Sequence, residues 1–149
     1  MAGAAELSAY RKVDVETASQ GKLIVMLFNG AIQRAEEAKR QMGRGKIVSV
    51  HNNLLRAQAI IGELRNALNM KAGGEIARNL DRIYEYLQHL LIEANIQKQP
   101  QPIDDAIAYM TTMRDTWQEL FLQLAKDQQG PAAPPVINAH GAALLNMQG

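Results

Sequence analysis

The sequence predicts an all-α fold, an antiparallel up-down bundle of four helices, and three observations carry that prediction. Four segments repeat apolar residues every three or four positions, the period of an amphipathic helix. The breaks between them are short and rich in glycine or proline, which favours antiparallel neighbours. Aromatic residues make up only 5% of the chain and β-branched runs are scarce, so little material exists for strands.

Residues 1–16 are weakly patterned and are expected to form an N-terminal arm. Within it Leu7, Tyr10 and Val13 fall three apart, which fits one helical turn lying on the bundle. The bundle itself is expected over residues 17–126. Its first helix runs from about Gly21 to Met42, with Leu23, Leu27, Ala31, Ala35, Ala38 and Met42 as its apolar seam. Ser19 is one candidate N-cap, and Thr17 with Gln20 offers a capping-box spacing instead. After Gly43-Arg44-Gly45 the second helix carries Ile47, Val50, Leu54, Ala57, Ile61, Leu64 and Leu68. Lys71-Ala72-Gly73-Gly74 separates it from the third, with glycine suited to a positive φ at a helix end. The third seam is Ile76, Leu80, Ile83, Leu87, Leu90 and Ala94. Gln99-Pro100-Gln101-Pro102 then stops that helix and starts the fourth, whose seam is Ile103, Ala106, Met110, Met113, Trp117, Leu120 and Leu124. Residues 127–149, rich in proline, glycine and alanine, are expected to be a mostly disordered tail. Periodicity alone leaves open a closed monomer or two hairpins pairing as a homodimer.

Composition narrows the function. The chain of 149 residues fits one domain, and its net charge of +1 lacks the basic excess of a nucleic-acid binder. No window reaches the ~18 apolar residues that membrane insertion needs. The N-terminal run MAGAAELSAYRK has no apolar core of signal-peptide length, so a cytoplasmic location is expected. Without cysteine there is no disulfide framework, thiolate metal site or cysteine nucleophile.

Tests for chemistry return structural explanations. A di-iron bundle needs Glu-x-x-His, which is absent. Glu85 and His89 stand four apart and are expected on the wet face of the third helix; His51 beside Asn52 and Asn53 is expected at the surface, and His140 lies in the tail. Ser8, Ser19 and Ser49 belong to no nucleophile motif. Asp104-Asp105 is expected to complement the dipole in the first turn of the fourth helix. Arg34, Lys39, Arg40, Arg44 and Lys46 form a basic hairpin compensated by Glu36 and Glu37, expected to be a solvated turn. No enzyme, cofactor or metal is expected.

Apolar residues remain beyond the four seams. Ile24, Val25, Phe28 and Ile32 accompany the first, Leu55 and Ile60 the second, Tyr84, Leu91 and Ile92 the third, and Ile107, Phe121 and Leu122 the fourth. They either widen the core or line grooves that accept an amphipathic partner. Ile60, Leu91, Ile92 and Leu122 are taken as the groove candidates because each lies off its seam. Seven methionines fit either use, since flexible thioethers fill core gaps and adaptable grooves alike.

The run from Tyr10 through Val13, Thr17-Ala18-Ser19-Gln20, Leu23-Ile24 and Met26-Leu27-Phe28-Asn29-Gly30-Ala31 resembles the N-terminal signature of the flagellin export chaperone family, FliS. Gly73-Gly74-Glu75-Ile76-Ala77, Asn79-Leu80, Tyr84-x-Tyr86, Leu91-x-x-Ala94-Asn95 and Met113-Arg114-x-x-Trp117 continue the likeness over about residues 7–126. Two positions depart from the pattern: Gln20 stands where the family has proline, and Asn29 where it has aspartate. The resemblance implies a cytoplasmic chaperone that binds the disordered C-terminal region of flagellin, keeps it from polymerising and passes it to a component of the flagellar type III export gate. It also implies that Leu7, Tyr10 and Val13 act as a displaceable cap over a groove. A generic adaptor or dimerisation bundle accounts for the heptads but not for these motifs.

Overall fold

The computed structural model describes the backbone of residues 2–127 and the side chains of residues 20–127. Four helices follow in order: α1 (Ala2–Gly43), α2 (Ile47–Asn66), α3 (Met70–Gln97) and α4 (Pro100–Lys126). Among the described residues there is no strand. Cross-helix bonds fix the directions. Arg34 of α1 reaches Asn53 of α2, Arg65 of α2 reaches Asp81 of α3, and Asn95 of α3 meets His51 of α2. Lys39 and Asn29 of α1 bond Asp104 and Arg114 of α4 respectively. In α2–α3 and α1–α4 one number rises as the other falls, and Gly30 against Ile60 does the same beside Arg34–Asn53 for α1–α2, so these neighbours are antiparallel. α1 packs on α2 and α4, and α3 on α2 and α4, closing the ring within one chain.

α1 differs from the expected helix at its start. Its backbone is helical from Ala2, so Thr17 and Ser19 lie inside it rather than capping it. No proline interrupts residues 2–43, and Gln20 keeps the backbone N–H that proline would lack. The side chains of Leu7, Tyr10 and Val13 lie outside the described residues, as do residues 128–149.

The breaks between the other helices have local causes. Gly45 takes φ +71 in the turn before α2. Asn69, which the periodicity does not flag, caps α3 by accepting from the Ala72 N–H at 2.9 Å. The glycines expected to separate the second and third helices stand instead within the first turns of α3. Gly74, at φ +52 and ψ −128, kinks the helix there. α3 ends at Lys98 in the left-handed conformation, its N–H bonded to the Ala94 carbonyl at 2.8 Å. α4 starts on Pro100. Asp104 and Asp105 therefore lie beyond its first turn, where Asp104 pairs with Lys39 at 2.6 Å and Asp105 accepts from Gln101.

The buried stripe is displaced from the expected seam in two helices. In α1 the core residues are Ile24, Phe28, Ala31, Ala35 and Ala38, while Leu23 is exposed. In α3 they are Ala77, Tyr84, Leu87, Leu91 and Ala94, while Ile76 and Ile83 face outward. Both helices carry apolar residues at adjacent positions, so either stripe satisfies the period. Aromatic packing selects between them. Phe28 lies 6.2 Å from Tyr84, the buried Trp117 side chain lies near the Tyr84 hydroxyl, and Trp117 stacks on Phe121 at 5.6 Å. Burial pushes the Tyr84 hydroxyl well above the usual tyrosine range, with the Trp117 side chain acting in the opposite sense. One cost is visible: Gln20 is buried and its side-chain oxygen has no hydrogen-bond partner.

Candidate interaction surface

The family-like motif residues divide into a structural set and a surface set. Phe28, Tyr84 and Trp117 form the aromatic core. Asn29, at the position of the family's aspartate, accepts from Arg114 Nη1 at 2.9 Å and so ties α1 to α4. Gly30 belongs to the surface: with Gln33, Arg34, Glu37, Arg40 and Ile60 it lines a groove of about 720 Å³ between α1 and α2. Leu23 and Met26 continue the same stripe of α1 by helical spacing, and they are 41% and 60% exposed. This groove has Ile60 as its aliphatic wall beside Gly30 and is charged toward Arg34 and Arg40. Glu37 pairs with Arg40 and accepts from Gln41, and these bonds hold its carboxyl below the usual range, Gln41 contributing most.

A second groove runs between α2 and α3. Gln88 donates to the Gln58 carbonyl at 3.2 Å, and this register sets Leu55 opposite Ile92. Both are nearly half exposed. Polar clusters close the two ends. At one end Arg65 donates to Asp81 (2.6 Å), Gln88 (3.2 Å) and Glu85 (3.2 Å), and these carboxylates raise its pKa, Asp81 foremost. At the other Asn95 meets His51 Nδ1 at 2.9 Å. Ile96 and Leu122 are further large apolar side chains left in water, and Tyr86 and Tyr109 form an exposed edge-to-face pair at 5.5 Å.

The expected groove residues meet this surface unequally. Ile60 is half-buried at the α1–α2 groove, Ile92 stands over the α2–α3 groove, and Leu122 projects from α4. Leu91 does not belong with them. It is fully buried, because the core stripe of α3 passes through it rather than through Ile83. The sequence pattern does not single out Leu23 or Ile96 as surface residues, and it leaves Met26 open to either use. Periodicity places Leu23 in the core seam, because the two adjacent stripes of such a helix satisfy the period equally.

No catalytic constellation is assembled by the described side chains. Glu85 accepts from Arg65 of α2, and His89 faces Glu93 at 3.5 Å on the surface of α3. Among the described residues no group of three or more His, Asp or Glu side chains is placed to hold a metal ion, and no helix is long and apolar enough to cross a membrane.

Comparison with known proteins gives the arrangement its context. Residues 3–124 match the family model for flagellar protein FliS. The chain is similar to the flagellar secretion chaperone FliS of Vibrio cholerae serotype O1, with 36% identity over 118 residues covering 76% of this chain and 87% of the relative. It is 32% identical over 122 residues to the Salmonella typhimurium flagellar secretion chaperone FliS, covering 78% and 90%. It is 30% identical over 123 residues to that of Bacillus subtilis, covering 83% and 91%. These relatives are named as chaperones, a non-enzymatic role, in agreement with the sequence expectation.

Proposed function

The chain belongs to the FliS family of flagellar secretion chaperones, and on that premise we propose that its export substrate is flagellin, bound through flagellin's C-terminal region. A secretion chaperone requires a secreted partner, and one observation about this molecule supports an extended amphipathic one. Large apolar side chains stand exposed although the core is closed: Leu23 and Met26 along the face of α1 that continues to the Gly30–Ile60 groove, and Leu55 opposite Ile92. A client segment that becomes helical on such grooves covers these residues and its own apolar face together.

In this reading Ile60, Ile92 and Leu122 contact flagellin, and Leu91 supports them from beneath. Flagellin termini assemble filaments by burying amphipathic helices, so an occupied groove keeps the subunit monomeric. Ordering the client costs conformational entropy, and the affinity therefore comes from wide apolar burial rather than from a few strong contacts. The reading includes a cytosolic location, no nucleotide and no metal, and release at a component of the export gate. Leu7, Tyr10 and Val13 act as a cap that the client displaces. A competing intramolecular ligand lowers apparent affinity by its occupancy, so deletion of residues 1–12 changes the client's affinity or association rate while the bundle persists.

Calorimetric titration of the full chain with a flagellin C-terminal peptide tests the reading. The expected result is a complex of one peptide per chain with a negative heat-capacity change, formed without nucleotide or metal. Self-association through the same grooves predicts a dimer that the peptide does not dissociate. Absence of binding at tens of micromolar peptide, or a dimer insensitive to it, refutes flagellin as the client.

A further inference from the structure

We propose that the cleft at the α1–α2 turn is a docking site for a short acidic segment of a protein partner, two or three carboxylates set beside an aliphatic side chain. The cleft has a volume of about 660 Å³ and is lined by Arg34, Lys46, Ile47, Val48, Asn52 and Arg56 among others, with no carboxylate in its wall. Three cations thus converge in a chain whose net charge is only +1. Several cations elsewhere on the bundle are compensated: Lys39 meets Asp104, Arg40 meets Glu37, Arg65 meets Asp81, and Arg114 meets Asp115. Among the described residues Arg34, Lys46 and Arg56 have no ion-pair partner.

The site is partly organised in advance. Arg34 Nη1 donates to Asn53 Oδ1 at 3.3 Å, and Asn53 is itself anchored by donating to the Ser49 carbonyl at 2.9 Å. That holds one guanidinium at the cleft wall without neutralising it, leaving N–H groups for a carboxylate. Beside the cations stand Ile47 and Val48, 52% and 73% exposed. Two aliphatic side chains in water at the start of a helix do nothing for the bundle. They suit a ligand that is apolar next to its charge.

The same lining argues for a peptide over a nucleic acid. No aromatic side chain is present on which a base would stack, and the overall charge balance is not that of a polyanion binder. A lone inorganic anion leaves most of the cleft and both aliphatic residues uncovered. The inference concerns a partner other than flagellin and does not rest on the flagellin reading.

The test uses the full chain and a fluorescein-labelled peptide alternating leucine with glutamate, together with its glutamine counterpart. Fluorescence polarisation is expected to show the glutamate peptide binding about tenfold more tightly, with shifts in the backbone amides of Ser49, Asn52 and Asn53. Exposed ion pairs are individually weak, so K46Q/R56Q, which leaves the Arg34–Asn53 bond intact, is expected to weaken binding about fivefold. Raising NaCl from 50 to 500 mM should produce a comparable loss, while K71Q/R78Q should leave binding unchanged. Equal binding of the two peptides overturns the proposal. So does displacement of the glutamate peptide by a single-stranded oligonucleotide at lower concentration than by unlabelled peptide, or by inorganic phosphate in the same range. A K46Q/R56Q variant that loses the flagellin peptide but not glutamate selectivity assigns these cations to the client surface and also overturns it.

Discussion

Replacing Leu91 and Ile92 separately distinguishes core from surface on adjacent residues of one helix. Leu91 is fully buried between Leu87 and Ala94 on the inner stripe of α3, whereas Ile92 is 43% exposed opposite Leu55. Leu91→Ala removes buried methyl groups and leaves a cavity in a closed core, which costs ~3–4 kcal/mol. For a domain of this size that lowers Tm by about 10–15 °C. Ile92→Ser forfeits a partly exposed contact and costs ~1 kcal/mol of stability. Its effect on the client is different. Fully burying an isoleucine contributes ~1.5–3 kcal/mol, so covering the exposed 43% supplies ~1 kcal/mol, about fivefold in Kd for the flagellin peptide. Urea unfolding followed by circular dichroism gives the stabilities, provided m is unchanged, and peptide titration gives the affinities. The reasoning fails if Leu91→Ala is as harmless as a surface change, or if Ile92→Ser unfolds the bundle as badly as Leu91→Ala.

Three other substitutions probe individual contacts. Asn29→Asp makes the bond to Arg114 charge-assisted and should raise stability by ~0.5–1 kcal/mol at neutral pH, measured by urea unfolding, with the gain lost as acid protonates the new carboxylate. Gly21→Ala sets helix propensity against packing: alanine gains ~1 kcal/mol in a helix, but its Cβ would stand 2.6 Å from Phe121 Cγ. Overpacking at ~1–3 kcal/mol should win, giving a lower Tm; an increase in Tm would mean that Phe121 yields freely. The Glu37 carboxyl should titrate below the usual glutamate range by carboxyl-carbon NMR, because Gln41 and then Arg40 favour its charged form. A depressed pKa stabilises the fold above the unfolded value and loses that effect as pH falls through the folded one, so Glu37→Gln should flatten stability in that acid window. A Glu37 midpoint at or above that of an ordinary exposed glutamate contradicts the contacts.

The bundle was legible in the sequence because its information lies in spacing and punctuation. α2 and α4 follow their expected stripes through Val50, Leu54, Ala57 and Ile61, and through Ile103, Ala106, Met110 and Trp117. α1 and α3 were legible as helices but not as oriented ones. Leu23-Ile24, Leu27-Phe28 and Ile83-Tyr84 each offer two adjacent apolar residues, and a period of 3.6 accepts either set. The choice is made by contacts distant in sequence, Phe28 with Tyr84 and Tyr84 with Trp117, which no local window contains. The start of α1 was hidden for another reason. Ser and Thr at the expected boundary are good caps, yet nothing there prevents the helix from continuing. The surface site inherits the same ambiguity: Ile60, Ile92 and Leu122 are accessible as expected, while Leu91 and Leu23 exchange places.

Whether the exposed aliphatic residues are an accident of packing can be decided from the core itself. Along the middle of α1 the buried positions are Ala31, Ala35 and Ala38, so α2 and α4 approach closely and leave no volume there for larger side chains. Turning α1 to bury Leu23 and Met26 would carry Phe28 out of its contact with Tyr84 and break the Asn29–Arg114 bond. Turning α3 to bury Ile76 and Ile83 would expose Tyr84 and Leu91 and separate Arg65 from Asp81. Each rotation exchanges medium-sized aliphatic burial for the loss of an aromatic core residue and a polar tie. The exposed stripes are therefore fixed by the closed bundle and not relieved by repacking it. A partner that covers them meets a surface already formed, so the conformational cost of binding falls on the partner rather than on the bundle.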